Sequence, residues 1–316
     1  MKDFAGKTAV ITGGGTGMGR ELALLLVAEG CNVAMCDVSA ENMAETQRRC
    51  LAQAPQGTRV ATFVADVSIE DQVQAFARAV ARELDTDKIH LLFNNAGIGG
   101  GGSIVSGDRA QWEKTFNVCW GGVYFGVRTF LPMLMNASEA HIVNTSSVNG
   151  FWASIGPGRP HTAYCAAKFA VKGFTEALMT DLAVNAPHIK CSVVMPGHIG
   201  TEIVANSRLV LNGGNMEVDV AAVRRALSFQ GMDLSKQSDD DIRAFVKMQE
   251  RRFRDDAPMS AAEAAMAILE GVKADKWRIL VGKDAELLDS RVRKAPEEAY
   301  TSTFYQDFLK DSGWRL

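Results

Sequence analysis

Tyr164 and Lys168 stand four residues apart in Tyr164-Cys165-Ala166-Ala167-Lys168, so on a helix their side chains share one face. A phenol titrates near 10 and is a poor base at neutral pH, but an ammonium beside it stabilises the phenolate and lowers that value. Such a pair can exchange a proton with an alcohol or ketone oxygen. A second constellation lies far upstream. Thr12-Gly13-Gly14-Gly15-Thr16-Gly17-Met18-Gly19 separates a β-branched run from a segment with helical spacing. Glycines at such a turn let the backbone approach a pyrophosphate, and the helix N-terminus offers it unpaired N–H groups and a favourable dipole. Asp37 ends the next apolar run. A carboxylate there accepts hydrogen bonds from an adenosine ribose diol and repels a 2′-phosphate, which favours NAD over NADP. No Arg or Lys follows Asp37 closely enough to pair with that phosphate, and Thr occupies position 16 in the loop. Asp66 and Val67 end the third run, where they either border the adenine or simply turn the chain.

These residues need a scaffold that gathers them. Short β-branched or apolar runs at 8–12, 33–36, 59–64, 89–93, 141–144 and 190–195 alternate with longer segments of helical periodicity. In one of these, Leu22, Leu25, Leu26 and Glu29 recur at three- and four-residue spacing. The alternation predicts βαβ units: an α/β fold, a doubly wound parallel sheet of Rossmann type with helices on both faces. Ser39, Ser68 (with Asp71), Ser238 (before Asp239-Asp240-Asp241) and Ser260 (with Glu263) read as helix caps. After Pro196-Gly197 the pattern changes. Residues 198–258 carry helical stretches near 218–229 and 239–253 and no convincing strand; a helix at 260–272 and a strand at 277–281 then resume the alternation. The expectation is a single domain with a core at about 5–197 and 258–282, an enlarged helical substrate lid at 198–258 and a tail at 283–316.

Composition excludes several classes. Of 316 residues, 47% are hydrophobic and 22% charged, enough to bury a large core. A net charge of -3 leaves no basic excess to neutralise a phosphate backbone, so nucleic acid is not expected as a partner. The longest uncharged apolar run, near 118–127, is too short to span a bilayer, and no apolar stretch of leader length opens the chain. The six cysteines form no C-x-x-C pair and the five histidines lack ligand spacing, so free thiols, no metal and a cytoplasmic location are expected.

Several motifs in order resemble the short-chain dehydrogenase/reductase family: the loop Thr12 to Gly19, Asn94-Asn95-Ala96-Gly97, a lone Asn117, Ile142 to Ser147, Tyr164 with Lys168, and Pro196-Gly197 with Thr201 beyond. The resemblance covers roughly 5–202 and resumes at 258–282. It implies hydride transfer between a nicotinamide cofactor and an alcohol or ketone by a tetrad. Tyr164 would be the general acid/base, and Lys168 would bind the nicotinamide ribose and depress the tyrosine. Ser147 would orient the substrate oxygen, and Asn117 would hold a water linking Lys168 to solvent. Ser146 competes for the serine role, but the motif favours Ser147. The cofactor would lie along Gly13, Gly15, Thr16, Gly17, Met18, Gly19, Asp37, Asp66, Val67, Asn95, Ala96, Gly97, Tyr164, Lys168, Pro196, Gly197, Ile199 and Thr201. Family members form dimers or tetramers through helices flanking the sheet, which implies a homodimer or homotetramer.

The chain departs from the family pattern in two places. Residues 151–160, between Ser147 and Tyr164, form a longer loop, and Gly99-Gly100-Gly101-Gly102 follows the Asn-Asn-Ala-Gly element. The glycine run is either a plain flexible loop or room beside the nicotinamide. In the lid, Ile203, Val204, Leu209, Val210, Leu211, Met216, Leu227, Phe229 and Met232 suit a bulky hydrophobic secondary alcohol or ketone, or else pack against protein. Phe151 and Trp152 offer an aromatic wall, and His161 and His198 are candidate substrate contacts. The alternatives are an NADP-dependent ketone reductase and a catalytically silent nucleotide-binding regulator. The presence of Tyr164, Lys168 and Ser147 weighs against the second.

Overall fold

The β-branched run Thr8–Thr12 forms β1, and all five of its residues are buried. In the computed structural model, which describes residues 1–229, 232–234 and 236–314 apart from the side chains of Ala226 and Phe229, five more strands follow the apolar runs. They are β2 (Asn32–Asp37), β3 (Val60–Val64), β4 (Leu91–Asn94), β5 (Ala140–Thr145) and β6 (Ile189–Pro196). The chain then makes two short strands, β7 (Ile199–Gly200) and β8 (Met259–Ser260), which pair with each other. β9 (Arg278–Val281) returns to the main sheet, whose order is β3-β2-β1-β4-β5-β6-β9. Every pairing is parallel. The winding direction reverses between β1 and β4, and ligands bind such sheets in the crevice outside the strand ends at that point.

Helices α1 (Gly17–Ala28), α2 (Ala40–Gln53), α3 (Glu70–Glu83), α4 (Arg109–Phe116), α5 (Gly122–Met135) and α6 (Thr162–Asn185) complete the first part. The lid holds α7 (Ile203–Leu211), α8 (Val220–Phe229) and α9 (Asp239–Asp255), and α10 (Ala261–Lys273) precedes β9. Strand alternation divides the core. Val10 points to the side covered by Phe76, Phe130 and Leu178 of α3, α5 and α6. Ala9 and Ile11 point to the side covered by Leu22, Leu26, Met43 and Ile268 of α1, α2 and α10.

Three caps match the sequence reading: Ser39 accepts from Asn42, and Ser238 with Asp241 and Ser260 with Glu263 form reciprocal capping boxes. Ser68 does not cap. Helix α3 begins at Glu70 behind Ile69, and the Ser68 hydroxyl instead donates to Asp66 Oδ1 at 2.6 Å, a carboxylate being the stronger acceptor. Among the described residues of 198–258, periodicity missed β7 and α7. The apolar run near 118–127 belongs to a continuous helical stretch, Arg109–Met135, which is long and apolar enough for a bilayer span; half of its most apolar window is buried in the protein.

The segment after 282 is not a loose tail. It forms α11 (Lys283–Lys294) and α12 (Ser302–Ser312), which bury Ala285, Leu288, Ala299, Phe308 and Trp314 in one cluster with Val148 and Trp152. The lengthened 151–160 loop is its partner. Ala153 N–H donates to the Tyr300 hydroxyl at 3.2 Å, and Gly156 lies under the Tyr305 ring.

Candidate active site

The glycine loop leaves β1 and enters α1 across the switch point. Its backbone is drawn toward β2 by Gly13 and Gly14, whose N–H groups both donate to the Cys36 carbonyl. Two close approaches exclude side chains. A Cβ on Gly19 would sit on the Gly13 carbonyl oxygen and 2.7 Å from Asn95 Nδ2, and one on Gly15 would meet the Asp37 carboxylate at 2.9 Å. Asn95 fastens the loop to the end of β4, donating to the carbonyls of Thr12 at 3.1 Å and Gly13 at 3.3 Å. Thr16 caps α1 without a side-chain hydrogen bond, and the first turn carries no acid. The leading N–H groups of α1 are thereby left for an anion at the positive end of the helix dipole. That is the arrangement a dinucleotide pyrophosphate requires.

Asp37 accepts from Gly15 N–H through Oδ2 and from Ser39 N–H through Oδ1, both at 3.1 Å. Each carboxylate oxygen keeps a lone pair for a ribose hydroxyl. Arg20 turns back onto the Gly15 carbonyl and the Thr46 hydroxyl. Asp66 pairs with Lys114 and Ser68; burial pushes its carboxyl up, but these partners outweigh burial and hold it below the usual range. The cleft is lined by Gly13, Thr16, Gly17, Met18, Asp37, Asp66, Val67, Asn95, Ala96, Gly97 and Thr201. Ile203, Leu209 and Val210 of α7 line it from above, and Val38, Ser39 and Asn42 at one end and Asn206 of α7 were not anticipated. Pro196 and Ile199 are buried and Gly197 rests on Asp284; they form the turn that carries Thr201.

Gly97 joins the cleft to Tyr164 and Lys168. A carbon on it would lie 3.4 Å from Lys168 Nζ. Lys168 is 2% exposed, donates to the Thr145 carbonyl at 2.9 Å and lies 5.4 Å from the centre of the Tyr164 ring. Burial pushes the Tyr164 phenol well up and the Lys168 ammonium down. The interaction of Tyr164 with the Ser147 hydroxyl works in the opposite direction to burial. The two buried groups are thus each disfavoured in their charged form alone, and a phenolate forms here only with its positive neighbour. Ser146 faces away, donating to the Lys168 carbonyl at 2.7 Å.

The Gly99–Gly102 run is an ordered strap. The Gly101 and Gly102 carbonyls accept from Ala163 and Thr162 N–H, satisfying the first turn of α6, whose own cap, His161, makes no side-chain bond. His161 packs against Tyr164 with ring centres 4.8 Å apart and planes tilted by 34°, and burial lowers it to about 4. A neutral ring therefore borders the tyrosine.

Asn117 opens a π-turn, Asn117–Gly121, with its side chain exposed and off the buried stripe of Cys119, Gly122, Val123, Gly126, Val127 and Phe130. Three expectations are corrected. Trp152 is no pocket wall: it is 1% exposed, donates to the Ala299 carbonyl at 2.7 Å and packs on Phe304, Tyr305 and Phe308. His198 is equally structural, its N–H on Asp284 at 2.7 Å and its Nε2 on the Phe253 carbonyl at 2.7 Å. Of the apolar lid residues named above, Ile203, Leu209 and Val210 line the cleft among the described residues. Leu211 packs on the core, while Val204, Met216 and Met232 are exposed. The side chain of Phe229 lies outside the described residues.

Comparison with known proteins fits this geometry. The family model described as short chain dehydrogenase matches residues 7–211. The chain is 35% identical over 293 residues to the SadH protein of Mycobacterium tuberculosis, covering 93% of this chain and 92% of that one. It is 34% identical over 213 residues to the levodione reductase of Leifsonia aquatica, covering 67% of this chain and 76% of the relative. Among solved structures, a short-chain dehydrogenase/reductase from Burkholderia phymatum in complex with NAD superposes with a TM-score of 0.76 at 29% identity, covering 96% of this chain and 98% of that one.

Proposed function

The chain belongs to the short-chain dehydrogenase/reductase family of oxidoreductases, and from that premise we propose that it transfers a hydride between NAD and a bulky, hydrophobic secondary alcohol or ketone, with Tyr164 as general acid/base. The observation that carries this reading is the continuity through Gly97 of an anion-ready cleft with the buried Tyr164–Lys168 pair. The dinucleotide, when bound along Gly13 to Gly19, Asp37 and Gly97, supplies the hydride acceptor or donor. The rest falls to the protein's own side chains. Ser147 donates a hydrogen bond to the substrate oxygen, so charge developing there meets a donor already in place. Tyr164 takes the hydroxyl proton in oxidation and returns it in reduction. Lys168, fixed on the Thr145 carbonyl, stabilises the phenolate that oxidation consumes and reduction leaves behind.

NAD is preferred over NADP in this reading because Asp37 presents a carboxylate where the 2′-phosphate would lie, and Arg20 is already engaged by Gly15 and Thr46. The structural relative that carries NAD is consistent with this. Apolar Ile203, Leu209 and Val210 and the neutral His161 ring support a hydrophobic substrate. Exposed Tyr124 on α5 and Phe169 on α6 support self-association through these two helices into a dimer or tetramer. Six free, buried cysteines support a cytoplasmic enzyme, and the net charge of -3 supports an enzyme that works without nucleic acid. Separate NAD and NADP titrations, followed by a reduction screen over secondary alcohols graded in size, test the reading. Tighter NAD binding and turnover lost in Tyr164→Phe are expected. Tighter NADP binding overturns the role of Asp37, and parent-like turnover by Tyr164→Phe overturns the mechanism.

A further inference from the structure

The turn after β6 is held from a place far along the chain. Gly197 N–H donates to the Val281 carbonyl at the end of β9, at 2.9 Å, and His198 N–H donates to Asp284 Oδ2 at 2.7 Å. Asp284 is the second residue of α11 and is 3% exposed. It lies so close that a Cβ on Gly197 would fall on its carboxylate, so only glycine fits there. A second donor reaches the same oxygen from α12: the Trp314 indole N–H, at 2.6 Å. Gly313 makes this reach possible, because it ends α12 in the left-handed region at φ 76° and turns the chain back. The indole is buried, edge-on to Phe308 with ring centres 5.0 Å apart. The other oxygen, Oδ1, is buried and has no hydrogen-bond partner among the described residues. The hydrogen bonding of this buried carboxylate therefore passes through Oδ2, and each of its two donors matters to the other.

The same turn leads straight to the cleft. Ile199 and Gly200 pair with β8, and Thr201, next along, lines the cleft. A Cβ on Gly17 would meet Thr201 Cγ2 at 3.1 Å, so Thr201 sits against the first residue of α1. We propose that Asp284 is a positioning residue of the cofactor cleft and Trp314 its anchor. The indole N–H pins the carboxylate, the carboxylate pins the Gly197–His198 turn, and the turn sets Thr201 against the glycine loop. This rests on the reading of the cleft as the dinucleotide site. Neither Asp284 nor Trp314 lines the cleft, so both act through the turn. With the carboxylate unpinned, the turn gains freedom that binding must remove, and that ordering cost is lost affinity.

Two measurements test it. The first needs no cofactor. Amide hydrogen exchange is compared in the parent, Trp314→Phe and Phe304→Leu. The first variant keeps a ring against Phe308 and loses the N–H; the second loosens the same apolar cluster where it packs on Trp152. Trp314→Phe is expected to speed exchange across 197–202 by about tenfold, the loss of one hydrogen bond to a charged group, and Phe304→Leu to leave that stretch at the parent rate. Parent-like exchange in Trp314→Phe overturns the proposal. The second is calorimetric titration with NAD. Kd is expected to rise about five- to tenfold in Trp314→Phe, and at least as far in Asp284→Ala, while Phe304→Leu binds like the parent even if its melt falls equally. Should Asp284→Ala not fold, Trp314→Phe decides alone. Parent-like NAD affinity in Trp314→Phe overturns the proposal, and so does an equal loss in Phe304→Leu, which would make the effect one of cluster stability. If the parent itself binds no NAD, the proposed function fails, and the exchange measurement still decides whether Trp314 holds the turn.

Discussion

Replacing Trp152 separates a structural role from a substrate-binding one. Its indole is 1% exposed, its ring centre lies between 6.1 and 6.3 Å from those of Phe304, Tyr305 and Phe308, and its N–H donates to Ala299 at 2.7 Å. Trp152→Ala empties this space and strands a carbonyl. Large-to-alanine substitutions of buried aromatics cost about 3–5 kcal/mol, and an unsatisfied buried acceptor accounts for about 1–3 kcal/mol of such a loss. For a chain of this size each kcal/mol lowers Tm by roughly 2 °C, so the melt should fall by roughly 6–10 °C. Trp152→Phe keeps most of the ring packing and loses the N–H, so a smaller cost of about 1–2 kcal/mol is expected. The assay is unfolding followed by far-ultraviolet circular dichroism, with KM measured for a small and a bulky alcohol. If the alanine variant melts with the parent while KM rises for the bulky substrate alone, the tryptophan belongs to the pocket and the argument from burial is wrong.

Two further outcomes follow from the geometry. Gly19→Ala places a methyl against the Gly13 carbonyl and Asn95 Nδ2; overpacking against backbone costs about 1–3 kcal/mol or more. A lower melt and weakened NAD binding are expected in parallel titrations, and an alanine variant matching the parent in both contradicts the close approach. His141 on β5 is 1% exposed, bonds Ser192 at 2.7 Å and is lowered by burial to about 4. The unfolded chain takes up this proton below about 6.5 and the folded chain does not until about 4, so stability falls as pH drops through that window, by about 3 kcal/mol for this group. Urea unfolding at stepped pH should give a flatter acid slope for His141→Gln, and an unchanged slope means that other groups carry it.

The main sheet was legible because its strands are buried on both faces and read as continuous apolar runs; β1 falls on Thr8–Thr12 as expected. The glycine loop and Asp37 were legible because local chain order alone puts them at one strand end. Trp152 was not, because its partners Ala299 and Phe308 lie far along the chain and nothing nearby signals that contact. The long loop and the apparent tail, each unexplained alone, complete each other in space. Asn117 was assigned by likeness to a motif alone, since periodicity marks only the buried stripe through Cys119 and does not announce the π-turn that adds a step to the helix there. His198 follows Pro196-Gly197, where a pocket residue fits the motif, but its surroundings are set by Asp284 and Phe253 from distant helices.

Helix α7 is held to both walls of the cleft by neighbouring residues: Asn206 donates to the Thr16 hydroxyl at 3.0 Å, and Ser207 accepts from Gly99 N–H at 2.8 Å. Arg208 then ties it to Glu250 of α9. The floor of the cleft belongs to the sheet, but its roof is fastened by two side chains only one residue apart, so the roof can be loosened without disturbing the floor. Asn206→Ala is expected to speed release of a bound dinucleotide while the ratio of its affinities for NAD and NADP holds, and a release rate equal to the parent's in stopped-flow contradicts the latch.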